Sequence, residues 1–383
     1  MALWRNSIKK FYLNFLLAIK GTHTEFTSGS IRKAIFLLAV PMILEMVMEA
    51  LFAVVDIFFV GQISTNAVAT VGLTESVLTL IYAVAIGLSM AATALVARRV
   101  GEKDFKRAGN AAFQAIFIAI IISLLIGIPG FLYADEVLRI MGGTEELIKE
   151  GFKYTRLMFA SNISIMLLFL INAIFRGAGN AAIAMRSLWV ANGLNIVLDP
   201  LFIFGWGIVP AFGIEGAAIA TTIGRFIGVL YQLYYLLGSK GTVRISYENL
   251  VLRWKTIRNL IDLSIGAMGQ FLVESASWIF LVKIISMFGS EVLAGYTISI
   301  RIIIFSILPS WGLSNAAATI VGQNLGASQP DRAEKSVWIT AHYNMVFLVV
   351  LSIFFFIWAE AIVGIFSPEP AVILTGVNSL RII

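Results

Sequence analysis

Three acids, Glu45, Glu49 and Asp56, interrupt an otherwise apolar stretch at 41–61, PMILEMVMEALFAVVDIFFVG. An acid at the centre of a membrane helix costs about 2.5–3.5 kcal/mol on insertion scales, so each one implies a partner or a task. Spacings of four and seven residues place them on one helical stripe. Ile43, Val47, Ala50, Val54 and Ile57 make the opposite, apolar stripe. Asp56, set among Val54, Val55, Ile57, Phe58 and Phe59, reads as the deepest of the three. Glu45 and Glu49 read as a solvated, cleft-lining face. A carboxylate in such a place can hold a proton or a small cation, and that is the chemistry expected of it.

Other residues fit the same chemistry. Asn195 and Asp199 are four apart, on one helix face, and Pro200 follows. A proline cannot donate to the carbonyl four residues back, here that of Ile196. A freed carbonyl beside an amide and a carboxylate makes a set of cation ligands. The bland alternative is a polar clasp between helices with a proline kink. Two acids in one apolar bundle are expensive as mere structure, which favours function. Glu274 has Gln270 one turn before it and Ser277 nearly one turn after. On its own residues it reads as an ion-pair partner of Arg301 or Lys283. Arg225, one turn past Thr221, reads as the partner of an acid near the cytoplasmic end. The two histidines, His23 and His342, lie far apart, and no metalloprotease or nucleophile-elbow motif accompanies them. An intramembrane enzyme is therefore disfavoured.

The elements that must carry these residues are membrane helices. The chain has 383 residues and is 59% hydrophobic but only 13% charged, with a mean hydropathy of +0.91. That is too little charge for a soluble surface. Many apolar runs reach the roughly 20 residues that cross a bilayer core. Spans are expected near 31–60, 67–97, 108–134, 152–175, 184–205, 214–237, 257–287, 292–322 and 334–362, with a tenth beginning near 372. The fold class is all-α, a polytopic transmembrane bundle; a barrel would show short alternating segments instead. Lys9 and Lys10 precede a short apolar run at 11–19, which Lys20 closes with no cleavage site after it. It reads as an interfacial helix or a loose tail. RGAGN at 176–180 reads as a turn at the end of the fourth span. Cysteine is absent, so there is no disulfide framework.

Basic residues set the orientation. They crowd the N-terminal segment (Arg5, Lys9, Lys10, Lys20, Arg32, Lys33) and the even-numbered loops, such as Arg98–Arg99, Lys103, Lys106 and Arg107. The N-terminus and even loops are therefore expected in the cytoplasm, with the chain in the cell's inner membrane. The net charge of +6 reflects this orientation, not a nucleic-acid surface. An internal repeat is also present. GLSMAATALVARRVGEKDFKRA at 87–108 aligns without gaps to GLSNAAATIVGQNLGASQPDRA at 312–333. At the same offset of 225 residues, Glu49 falls on Glu274. Six spans separate the copies, so both share one orientation: a parallel repeat, giving two pseudo-symmetric lobes. The expected domains are an N-terminal tail at 1–30, an N-lobe at 31–237, a cytoplasmic linker at 238–256 and a partial, truncated C-lobe at 257–383.

Four patterns sit on this architecture: Pro41 with Asp56 and Gly61, RGAGN at 176–180, Asn195 with Asp199 and Pro200, and GAAIAT at 216–221. Together they resemble the multidrug and toxic compound extrusion (MATE) family, and NIVLDP at 195–200 resembles its archaeal and DinF-like branches more than the NorM branch. The resemblance implies a twelve-helix cation-coupled antiporter, so the last helices would be missing here. It implies an N-lobe cation site lined by Asp56, Asn172, Asn195, Asp199 and Thr221, taking a proton or Na⁺. It implies, through the NorM branch, a coupling role for Glu274, which with Gln270 would form a second cation site. No cofactor or resident metal is expected beyond that ion. The expected partners are membrane lipid and small hydrophobic or cationic substrates, for a monomer that is not an enzyme. Related sequences often carry another Asn one turn before Asn172, where this chain has Phe169. A flippase for a lipid-linked oligosaccharide shares the broader fold, but would call for a more basic cavity than Arg225, Lys283 and Arg301 provide.

Overall fold

Apolar runs with few internal breakers become long helices, and the computed structural model, which describes residues 2–21, 26–238 and 241–382, is built from them. His23 and Lys240 lie outside the described residues. In chain order the helices are α1 (Ala2–Lys20), α2 (Ile31–Val60), α3 (Thr65–Gly101), α4 (Phe105–Leu132), α5 (Ala134–Ile140), α6 (Glu145–Ala160), α7 (Asn162–Gly177), α8 (Ala181–Phe204), α9 (Ile214–Leu237), α10 (Trp254–Ser286), α11 (Ser290–Gly326), α12 (Pro330–Gly364) and α13 (Pro370–Ile382). Among the described residues, eight are long and apolar enough to cross a membrane, and α6 with α7, bent by 42° at their junction, are long and apolar enough together. That bend falls at Ser161, in a span expected to be continuous. Its first half, α6, is the amphipathic EELIKEGFKYTRLMFA, started by Thr144, whose hydroxyl accepts from the Leu147 amide at 3.3 Å. The short α5 was not expected. The 11–19 run belongs to a longer helix, α1, docked on α2 by Phe11 edge-on to Phe36 at 5.4 Å.

The repeat is visible atom by atom. Helix α2 packs on α11 while α10 packs on α3, and α3 meets α11 between them. A methyl group on Gly101 would collide with the Gln323 carbonyl; one on Gly326 would collide with that of Arg98. Exchanging each residue for its counterpart 225 positions away in the other repeat turns the first contact into the second. Gly87 against Met268 and Gly312 against Ile43 are a second such pair. Ala97 and its repeat Gly322 touch each other, so the pseudo-axis passes between them. Lys103 (φ 58°) and Ser328 (φ 59°), also one offset apart, are the only non-glycine residues with positive φ among the described residues. Small residues at these points let backbones approach where lipid supplies no hydrophobic drive between helices.

The segment between α9 and α10 is not free. Asn110 Nδ2, on α4, donates to the carbonyls of Asn249 and Val251, both at 3.0 Å, and Gln114 Nε2 donates to Val251 at 2.7 Å. Lys106 pairs with Glu248 at 2.6 Å. The hydrogen bond from Lys106, then its charge, holds the exposed Glu248 carboxyl below its ordinary range.

Candidate cation site

Helices α8 and α9 meet along a stripe of small residues, Gly216, Ala220, Gly224 and Gly228, each four apart. A methyl on Gly224 would press on the Ala191 carbonyl, so the two backbones lie close. This sets Thr221 against Asn195. Asn195 Nδ2 donates to Thr221 Oγ1 at 3.0 Å and to Asp199 Oδ1 at 3.1 Å. Asp199 is 0% exposed. Its Oδ2, and Oδ1 of Asn195, are buried with no hydrogen-bond partner among the described residues. Two orphaned acceptor oxygens on neighbouring side chains are costly to bury and suit a proton or cation.

Asp56 stands on α2, which packs along α8. Phe59 stacks edge-on to Phe204 at 6.3 Å, tying the ends of α2 and α8 together. Asp56 lies within electrostatic range of Asp199, Glu75 and Arg225. It is half-buried and sits four residues from the end of α2. Arg225 is 6% exposed, yet forms no ion pair within 4 Å among the described residues. Its Nη1 donates to the Tyr82 hydroxyl at 3.2 Å and its guanidinium lies 5.6 Å from the Phe52 ring. The expected direct acid partner is therefore replaced by a phenol and an aromatic face. Phe169, the departure from the family pattern, packs edge-on to Tyr82 at 5.8 Å and so supports that phenol.

Glu45 is not a solvated cleft residue. At mid-helix it is the deepest of the three acids and only 2% exposed. It accepts from Arg176 Nη1 at 2.6 Å and from Asn172 Nδ2 at 3.1 Å. Arg176 lies in the last turn of α7, and the RGAGN turn it opens depends on Gly179, whose φ of +81° favours glycine. Asn172 is thereby committed elsewhere than expected. Its Oδ1 accepts from Ser187 at 2.8 Å and from Gln232 at 2.7 Å. Ser187 lies two turns of α8 before Asn195, so Asn172 belongs to the Glu45 cluster and not to the oxygens around Asp199. Glu49 is half-buried and accepts from Asn192 at 2.9 Å. The turn also links the two repeats: the carbonyls of Arg176 and Gly177 accept from Thr319 at 3.1 Å and Gln323 at 3.0 Å.

In the second repeat, Gln270 and Glu274 stand one offset from Glu45 and Glu49. Both are exposed on α10. Glu274 makes no ion pair with Arg301 or Lys283 among the described residues, so the expected ion-pair partner is not at hand. Sequence reasoning overlooked Glu75, Tyr82, Ser187, Asn192 and Gln232. Glu75 carried a usable signal, an acid inside an apolar span. The others are neutral residues whose importance only pairing reveals.

The chain as a whole is similar to known proteins. The family model described as MatE matches residues 41–201 and 267–383. The probable multidrug resistance protein NorM of Thermotoga maritima is 28% identical over 357 residues, 92% of this chain and 76% of the relative. The multidrug export protein MepA of Staphylococcus aureus is 21% identical over 358 residues, 93% of this chain and 78% of its own. Among solved structures, a MOP superfamily transporter from Pyrococcus furiosus superposes with a TM-score of 0.86 at 26% identity, covering 93% of this chain and 79% of that one. An outward-facing multidrug resistance transporter matches with the same score, identity and coverage.

Proposed function

The chain belongs to the MatE family of multi-pass membrane transporters, and from that membership we propose that it exports small hydrophobic or cationic compounds in exchange for a proton or Na⁺. The observation that carries the coupling is the pair of orphaned oxygens on Asp199 and Asn195, with Asp56 in electrostatic range. Thr221 completes the neutral side of the set. Two like charges in a poorly solvated bundle repel, and a bound cation relieves the repulsion. Its arrival and departure then change which arrangement of α2, α8 and α9 is favoured. Substrate and ion exchange only if they favour different conformations, which is a differential affinity. We place the N-terminus and the basic loops in the cytoplasm of an inner-membrane monomer, with lobes at 31–237 and 257–383.

Proteoliposomes with an imposed proton or sodium gradient test this. A fluorescent lipophilic cation should move against one gradient and stop when the matching ionophore collapses it. Movement indifferent to both gradients would overturn the antiport reading and leave only facilitated passage.

A further inference from the structure

We propose that a groove between α2 and α12, at the end of the molecule carrying the basic loops, binds the phosphate headgroup of an anionic phospholipid. The groove has a volume of about 380 Å³ and is lined by Arg32, Trp338, Ile339, His342 and Tyr343. Its two walls come from different repeats, α2 from the first and α12 from the second. Arg32 is exposed and has no ion-pair partner among the described residues. A guanidinium offers paired donors that match a phosphate, and a neighbouring imidazole and phenol add further N–H and O–H donors.

The position along the bundle favours lipid over a soluble anion. Arg32 is the second residue of α2 and, with Lys33, precedes the apolar run from Ala34. On α12, His342 closes the polar first part, PDRAEKSVWITAH, and the apolar part follows from Met345. Both side chains therefore stand where hydrocarbon gives way to headgroups. Trp338 (69% exposed) and Tyr343 (38% exposed) are the aromatic types enriched at that level. Lys335, Ile339 and His342 share one stripe of α12 at spacings of four and three, and Lys33 adjoins Arg32. Glu334 lies on α12 one residue from Lys335 and forms no ion pair among the described residues. The groove's floor is apolar, since the lining Ile339 packs on the cluster of Ile35, Leu38 and Ile320. A guanidinium with neighbouring N–H and O–H donors over an apolar floor, rimmed by aromatics, matches one acyl-bearing phosphate.

Purified wild-type protein in a neutral detergent would be titrated with phosphatidylglycerol, phosphatidylcholine and inorganic phosphate, reading bound lipid by native mass spectrometry. Phosphatidylglycerol should bind at least tenfold more tightly than phosphatidylcholine. Arg32→Gln combined with His342→Gln should remove that preference, whereas Lys255→Gln, elsewhere on the basic end, should keep it. Both groove residues are exposed, so the variant is expected to fold; a melting temperature within a few degrees of wild type in lipid-free detergent checks this. Trp338→Ala gives an independent arm and should weaken phosphatidylglycerol several-fold. Equal binding of the two lipids, equal losses in groove and control variants, or inorganic phosphate displacing the lipid at equal concentration would each overturn the proposal. None of these readouts depends on transport, so failure here and failure of the antiport reading are distinguishable.

Discussion

At the scale of single residues, the molecule separates two kinds of buried acid. Glu45 has its charge answered by Arg176 and its oxygen held by Asn172. Asp199 has one oxygen answered and one not. Removing one partner of a buried pair strands the other, at a cost of about 3–5 kcal/mol. Glu45→Ala should therefore lower the melting temperature of the purified protein substantially, and Glu45→Gln, which keeps an acceptor for Asn172, should cost less. Equal melting temperatures for wild type and Glu45→Ala would show that the pair contributes nothing. The sequence marked Glu45, Glu49, Asp56 and Asp199 as anomalies because acids in apolar spans are expensive. It could not divide them, because helical phase gives a stripe and not a partner. Asn172 went astray for the same reason: its partners Ser187 and Gln232 lie on other helices, and nothing in the local sequence points to them.

At the scale of elements, close helix contacts rest on glycines related by the repeat. Gly101→Val and Gly326→Val should each force α3 and α11 apart at the basic end. Overpacking of this kind costs about 1–3 kcal/mol or more, and the two variants should lose similar amounts because their surroundings are copies. Gly72→Ala and Gly266→Ala meet nothing within 4 Å and should be neutral or mildly stabilising. Thermal unfolding of the four variants side by side checks the pattern; strongly unequal losses at 101 and 326 would break the symmetry argument. Most helices were legible because apolar length alone nearly specifies a span. The break at Ser161 was not, since an amphipathic α6 followed by an apolar α7 reads as one long segment until its bend is seen. The parallel repeat was legible because 87–108 and 312–333 keep the small residues that the interface requires.

At the scale of the whole molecule, the proposed exchange requires one orientation and one coupling unit. The turn at 61–64 should face outward. The chain has no cysteine, so Gln62→Cys would carry a unique label, and unlike Ser64, Gln62 does not cap α3. A membrane-impermeant maleimide should label it from outside intact cells; protection there and labelling only in inverted vesicles would reverse the topology. The coupling unit is tested most directly by gradient-driven efflux in proteoliposomes containing equal amounts of wild type, Asp56→Asn, Asp199→Asn and Glu274→Gln. Each Asp→Asn change keeps the shape and removes the titratable charge. The two aspartate variants should lose gradient-driven efflux, and Glu274→Gln, altering an exposed residue on α10, should retain most of it. Efflux abolished by Glu274→Gln and preserved in Asp56→Asn would contradict the assignment and move coupling to the second repeat.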